Sequence, residues 1–134
     1  MTTLVDANVL LDILTEDDHW FAWSENALVA AAARGELAIN PIVYAEVAVG
    51  FATIEALDDS LAEFARLPLP YEAGFLAARC FVRYRRTGGA RRSPLPDFYI
   101  GAHAAVSGLD LLTRDAARYR TYFPRLRVIA PDGQ

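Results

Sequence analysis

The sequence contains no lysine; all thirteen of its basic residues are arginines. Three classes of phosphate-handling protein need a lysine at their site. They are the haloacid-dehalogenase-like phosphatases, the receiver domains of two-component signalling and the P-loop nucleotidases. The phosphatases would also need a second aspartate two residues after Asp6, where this chain has Asn8. The missing lysine therefore excludes all three classes in their usual form.

Cysteine is almost absent as well. Cys80 is the only one, which excludes an internal disulfide and a cysteine-based zinc cluster. No apolar run approaches the roughly 18 residues that span a bilayer, so we expect no membrane partner. The N-terminal stretch MTTLVDANVLL has no basic residue ahead of its apolar run, and we expect no signal peptide. These features predict a reduced, cytoplasmic protein.

The chain has little net charge of either sign and no sign of disorder. Its formal net charge is −4, which argues against a protein that coats nucleic acid non-specifically. Hydrophobic residues make up 54% of the 134 residues, enough for a sizeable core. Because no linker-like or repetitive stretch divides the sequence, we expect one domain over residues 1–134.

Short apolar segments alternate with helical ones along the chain. TTLVD, ELAI, LDLLT and LRVIAP are typical of buried strands, because they are short and apolar on both faces. The spacing in IEALDDSLAEFARL (54–67) predicts one amphipathic helix. Asn40-Pro41 is typical of a helix start, and Gly108 of a helix end. This alternation predicts an α/β fold with a short, mainly parallel sheet between helices.

Four of the seventeen acidic residues stand apart by their context. Asp6 ends the first strand, and Asp115 follows the third, so both lie at the sheet edge where α/β folds place their sites. Glu46 lies inside the apolar segment PIVYAEVAVGFA, where a carboxylate is costly without a partner. Asp97 lies in the first turn of a helix; there, as at Asp115, an acid can simply complement the helix dipole. Together, four carboxylates suit Mg²⁺ or Mn²⁺.

Five segments, in order, resemble the PIN-domain ribonucleases, specifically the VapC-like toxins of type II toxin–antitoxin pairs. They are LVDANVLLD, NPIVYAEV, LPDFYIGAHA, LLTRDAARYRTYFP and LRVIAP. The resemblance implies a three-layer α/β/α PIN-like domain, with a catalytic, metal-binding set of Asp6, Glu46, Asp97 and Asp115. It implies that Asn8 and Thr113 support that pocket.

The same resemblance implies an activity and partners. The activity is Mg²⁺- or Mn²⁺-dependent endonucleolytic cleavage of RNA, often tRNA or rRNA, through a metal-activated water. The implied partners are the RNA substrate, a cognate VapB-like antitoxin and a second copy in a homodimer. The alternative is a catalytically silent PIN-type module that binds RNA or forms a complex.

Arginines cluster just before the Asp97 helix, in RCFVRYRRTGGARRSP. A planar guanidinium can bind two phosphate oxygens, so this segment is a candidate RNA-gripping loop, although a solvated loop explains it equally well. Arg114 is a further candidate, for phosphate or for a neighbouring acid. The candidate substrate-binding residues are therefore Arg85, Arg86, Arg91, Arg92 and Arg114.

Several other polar or aromatic residues are expected to lie outside the site. We interpret Asp12 as a helix-surface acid, Asp110 as a turn residue, His19 as a surface residue and His103 as a satisfied interior one. The aromatic residues of DDHWFAWSEN form either an apolar groove for a partner helix or part of the core. They are Trp20, Phe21 and Trp23.

Overall fold

The computed structural model describes residues 1–131. Five parallel strands form one sheet in the order β3-β2-β1-β4-β5, with β1 in the centre. The strands are β1 (Thr3–Val5), β2 (Leu37–Ile39), β3 (Ala65–Arg66), β4 (Asp110–Leu112) and β5 (Val128–Ile129). Residues of β1 and β4 are buried on both faces, as expected for the middle of a parallel sheet.

Seven helices connect and cover the strands within the described residues. They are α1 (Ala7–Leu14), α2 (Phe21–Arg34), α3 (Pro41–Ala48), α4 (Ile54–Ser60), α5 (Tyr71–Arg86), α6 (Pro96–Ser107) and α7 (Ala117–Tyr122). The chain moves outward from β1 to β3, then crosses to β4 and β5, so right-handed connections place α1–α4 and α5–α7 on opposite faces. Accordingly α1 packs on α2 and α3, while α6 packs on α5 and α7.

The predicted α/β fold with a parallel sheet between helices is confirmed. The expected helix over residues 54–67 is wrong: α4 ends at Ser60, and Ala65–Arg66 form the edge strand β3. There Ala65 pairs with Ala38, and the Leu67 N–H donates to the Ile39 carbonyl (2.9 Å). A two-residue strand leaves no periodicity in the sequence, so pairing with a distant strand overrides the local helical pattern.

Two acidic residues lie inside the protein, against expectation. Asp12 is 3% exposed, because α1 is covered by α2 and by the loop after β4. Its carboxylate accepts from Ser24 Oγ (2.8 Å) and from Nε (2.8 Å) and a terminal nitrogen (3.1 Å) of Arg114. Asp110 is the buried first residue of β4 and lies 3.4 Å from Arg127. Both carboxylates thus have an arginine partner, but within residues 1–131 the buried Oδ2 of Asp110 makes no hydrogen bond.

The three aromatic residues at the start of α2 (Trp20, Phe21 and Trp23) are half-buried. The Arg114 guanidinium lies 5.4 Å from the centre of the Trp20 ring, and Trp23 packs against the core. The core alternative is therefore supported for Trp23 alone. Within residues 1–131, no helix is long and apolar enough to cross a membrane.

Asn40 connects the start of α3 to the interior of α6. Its side-chain oxygen accepts from the Val43 N–H (2.9 Å), and its Nδ2 lies 3.0 Å from Nδ1 of the buried His103. Pro41 occupies the first helical position, as predicted. Burial lowers the pKa of His103, so the ring is neutral and accepts from the amide. The interpretation of His103 as a satisfied interior residue is confirmed.

Replacing Asn40 should destabilise the protein more than an ordinary helix cap does. We expect Asn40→Ala to lower the free energy of unfolding by about 2–3 kcal/mol, because it removes a cap and leaves buried His103 without a partner. Thr53→Ala is the matched control, since Thr53 caps α4 through one exposed hydrogen bond to Ala56. It should cost about 1 kcal/mol. Equal losses in urea denaturation would contradict the role of the His103 contact.

Candidate active site

The fold brings the four predicted carboxylates to one pocket at the carboxyl edge of the sheet. Asp6 follows β1, Glu46 lies in α3, Asp97 is the second residue of α6, and Asp115 follows β4. The cavity measures about 410 Å³. Its lining consists of these acids together with Ala7, Asn8, Leu11 and Val49. Four separate chain segments thus supply the negative charge of the pocket.

Asp6 is the most buried of the four acids, with 5% of its surface exposed. It precedes α1 at the cap position, yet its side chain makes no capping hydrogen bond. Instead, its Oδ2 accepts from the Thr113 hydroxyl (2.8 Å) and from the Tyr119 hydroxyl (2.9 Å). These two donors fix the orientation of the carboxylate and compensate for its burial.

Asn8 and Thr113 lie beside Asp6, where the resemblance predicts supporting residues. The Thr113 oxygen accepts from Asn8 Nδ2 (3.2 Å) and from the Asp115 N–H (3.2 Å). The Asn8 side-chain oxygen accepts from the Arg114 N–H (3.1 Å). This network ties the start of α1 to the loop after β4. It therefore fixes the relative positions of the segments that carry Asp6 and Asp115.

Tyr119, on α7, is a site residue that sequence reasoning missed. Its buried hydroxyl also lies 3.3 Å from Asp97 Oδ1, so it lies between two carboxylates. A phenol has one hydrogen, which can be donated to one of them at a time. Burial and then the charges of Asp6 and Asp97 raise the pKa of Tyr119 well above its usual value. Its position one turn after Asp115 was the available signal.

The crowding of negative charge shows in the acid–base properties of the pocket. Burial raises the pKa of Asp6 to about 6; the charge of Asp97 acts in the same direction, and the hydrogen bonds from Thr113 and Tyr119 oppose it. Burial and the charges of Asp6 and Asp97 raise the pKa of Glu46 to about 7. Burial also raises the pKa of Asp97. A bound cation would favour the ionised forms of all three.

The donor set fits a hard cation in chemistry, because it offers carboxylate oxygens and neither sulfur nor imidazole. As the side chains stand, no three acidic, histidine or cysteine residues within 1–131 are close enough together to hold an ion. Asp6 and Asp97 hydrogen-bond to Tyr119 instead. An ion held directly by three of these carboxylates therefore requires side-chain rearrangement in this pocket.

Within residues 1–131, none of the predicted arginines lines the acid pocket. Arg114 is bound to Asp12, which matches the neighbouring-acid alternative. Arg85 donates to the carbonyl of Arg91 (2.7 Å) and braces its own loop. The other three predicted arginines are exposed: Arg86, Arg91 and Arg92. Arg118, which the sequence did not single out, lies 3.4 Å from Asp97 Oδ2.

Comparison with known proteins identifies the family of this chain. The sequence pattern of the PIN domain matches residues 3–124, nearly the whole chain. The chain belongs to the PIN-domain family. PIN domains of VapC toxins are in general nucleases, and PIN nucleases in general use divalent metals. None of the curated proteins matches this PIN domain significantly.

Solved structures share the fold of this PIN domain. VapBC2 from Rickettsia felis, bound to a DNA fragment from its promoter, has a chain with a TM-score of 0.74 and 19% identity, covering 98% of this chain and 100% of its own. A toxin–antitoxin complex from Klebsiella pneumoniae gives 0.70 and 22%, with 95% of each chain covered. VapBC-1 from nontypeable Haemophilus influenzae gives 0.71 and 15%, covering 97% and 98%.

The Tyr119 hydroxyl should contribute measurably to stability. Tyr119→Phe removes a buried donor from Asp6 and should lower the free energy of unfolding at pH 7.5 by about 2 kcal/mol. Tyr122→Phe, in the same helix, is the control, because its hydroxyl has no hydrogen bond within residues 1–131. Urea denaturation of both variants measures the difference. Equal stability of the two would refute the role of the Tyr119–Asp6 contact.

Glu46 should make the metal-free protein less stable as the pH rises. Its raised pKa means that folded Glu46 holds a proton that the unfolded chain has released. This stabilisation is present below about pH 4 and is lost as the pH rises through about 7. Glu46→Gln should therefore be more stable than the unmodified protein at pH 8 in EDTA, with a smaller advantage at pH 5.

Burial lowers the pKa of His103, so His103 changes the stability with pH in the opposite direction to Glu46. Comparing variants that all keep His103 removes this contribution. Glu63→Gln serves as the control, since Glu63 is an exposed glutamate. It should follow the unmodified protein at both pH values. A pH-independent effect of Glu46→Gln on urea denaturation would contradict the raised pKa of Glu46.

Proposed function

We propose that this PIN domain, residues 1–134, is the VapC-like toxin of a type II toxin–antitoxin pair and hydrolyses RNA phosphodiester bonds in a Mg²⁺- or Mn²⁺-dependent reaction. One observation carries the proposal: four carboxylates from four chain segments meet in one open pocket. Burial, together with the charges of Asp6 and Asp97, raises the pKa of Glu46 there. Crowded, partly buried carboxylates lower the stability of the protein, and a bound cation would compensate for this cost.

The proposed metal ligands are Asp6, Glu46, Asp97 and Asp115. The chemistry supplied by the ion is activation of a water and stabilisation of the charge that develops on the phosphate. The chain itself orients the ligands: Thr113 and Tyr119 hold one oxygen of Asp6. Arg118 lies beside Asp97 and can bind the phosphate of the substrate.

The proposed protein partner is a VapB-like antitoxin. The solved structures that share this fold come from toxin–antitoxin complexes, which supports such a partner. We also propose a homodimer formed through residues 41–66. Val49 and Ile54 in that segment are large apolar side chains with 89% and 60% of their surface exposed, and exposed apolar surface favours association.

The cleavage assay that tests this function uses purified protein and a pool of total tRNA and rRNA with Mn²⁺ or Mg²⁺. We expect discrete fragments from the unmodified protein. Glu46→Gln and Asp97→Asn should lower the rate by at least about a hundredfold, because each removes a proposed metal ligand. Asp59→Asn, an exposed acid on α4, should cleave normally.

EDTA and a melting experiment complete the design. EDTA should abolish cleavage. Millimolar Mn²⁺ should raise the melting temperatures of the unmodified protein and of Asp59→Asn, and it should raise the melting temperature of Asp97→Asn by less. Folded, metal-binding protein that cleaves no RNA would favour the catalytically silent module. An unchanged melting temperature in both metals would contradict a metal site at the four carboxylates.

A further inference from the structure

A second cavity adjoins the acid pocket and shares two of its residues. It measures about 520 Å³, and Asp97 and Asp115 line both cavities. We call it the arginine groove; besides these acids, it is lined by Tyr84, Thr87, Gly88, Gly89, Ala117, Arg118, Thr121 and Tyr122. Since the two cavities share these two lining residues, they are neighbours, and a strand with one phosphate in the acid pocket can extend toward the arginine groove.

Two arginines lie at this groove, whereas no arginine in the described part of the chain lines the acid pocket. Arg118 lines the groove beside Asp97, and Arg83 contacts the lining residues Tyr122 and Thr121. The exposed Arg118 guanidinium lies at the common wall, 3.4 Å from Asp97. The Arg83 guanidinium lies over the Tyr122 ring, 4.9 Å from its centre, and donates to the Thr121 carbonyl (3.3 Å). Arg83 is thus fixed against an aromatic ring while it is exposed to solvent. A fixed planar cation of this kind can stack with a base.

The turn after α5 forms a wall without side chains. Gly88 has φ of +93°, and a Cβ there would meet nothing within 4 Å. At Gly89 a Cβ would lie 2.2 Å from the Tyr84 ring, so only glycine lets the chain pass so close. The N–H groups of both glycines are bonded to α5 carbonyls. The turn therefore leaves space for a ligand, while Arg85 holds the next residues in place.

We propose that the arginine groove binds the nucleotide next to the scissile phosphate of a single-stranded RNA, with Arg118 on the flanking phosphate and the Arg83–Tyr122 pair as the stacking surface for the base. The inference rests on the proposed function and adds the residues that grip the strand. The volume of the groove is in the range of small-ligand sites. Stacking and phosphate contacts together are typical of single-strand binding.

The test measures binding without cleavage. A short fluorescein-labelled single-stranded RNA of random sequence is titrated with protein in EDTA, and fluorescence anisotropy gives the dissociation constant. The double variant Arg83→Ala/Arg118→Ala should bind at least about tenfold more weakly, because a stacking and a phosphate contact are both lost. Arg118→Ala alone should reduce the slope of the logarithm of the binding constant against the logarithm of the salt concentration by about one.

Arg79→Ala is the matched control. Arg79 lies on the same helix, is exposed, and its guanidinium lies 5.2 Å from the centre of the Phe75 ring, so the variant removes the same charge and the same type of ring contact away from the groove. It should change the affinity less than about twofold. A charge-preserving pair adds a second test: Arg118→Lys should keep most of the affinity, whereas Arg83→Lys should lose the stacking contribution.

The outcomes separate the groove from the catalytic proposal. Equal losses for Arg79→Ala and for the groove variants would overturn the assignment, since attraction would then depend on overall charge. Cleavage by unmodified protein together with unchanged RNA binding by the double variant would overturn the groove and leave the nuclease proposal standing. Groove-dependent binding without cleavage in any metal would confirm the groove and overturn the nuclease proposal. No RNA binding by unmodified protein would overturn the groove assignment.

Discussion

The fold depends on compensating one carboxylate buried at the end of its central strand. Asp6 follows β1 in the middle of the sheet, and both of its side-chain donors reach the same oxygen. Thr113 arrives from the end of β4 and Tyr119 from α7. Because β1 and β4 are paired, these donors meet Asp6 only in the native parallel register. The native register of the sheet and the hydrogen bonds that compensate the buried Asp6 therefore depend on each other.

An ion pair between Arg114 and Asp12 holds the loop that carries Asp115. Arg114 contacts both oxygens of Asp12 through its side chain, and its N–H donates to Asn8. The residue before Asp115 is thus held at the main chain and at the side chain. A bidentate pair with one nearly buried partner is rigid and directional. This contact explains why Asp12 is buried and why Arg114 cannot reach substrate phosphates without leaving it.

Much of the fold and of the acid pocket could be predicted, because both follow from local patterns. Short apolar runs identify central strands, and the exceptional setting of Glu46 in an apolar helix indicates a site. Other features depend on distant partners: β3 exists only beside β2, and Asp12 is buried only because Arg114 meets it. Tyr119 is one of six tyrosines; its place four residues after Asp115 is the only local signal, and that signal does not indicate a position between two carboxylates.

The partners of Asp6 lie far along the chain, 107 residues away for Thr113 and 113 for Tyr119. The ribosome therefore synthesises Asp6 more than a hundred residues before either of these partners. While the segment from Thr113 to α7 is still inside the ribosome, the nascent chain lacks the donors that hold the Asp6 carboxylate in place. It lacks Asp115 as well. The order of synthesis therefore delays assembly of the pocket until α7 has been synthesised and has left the ribosome.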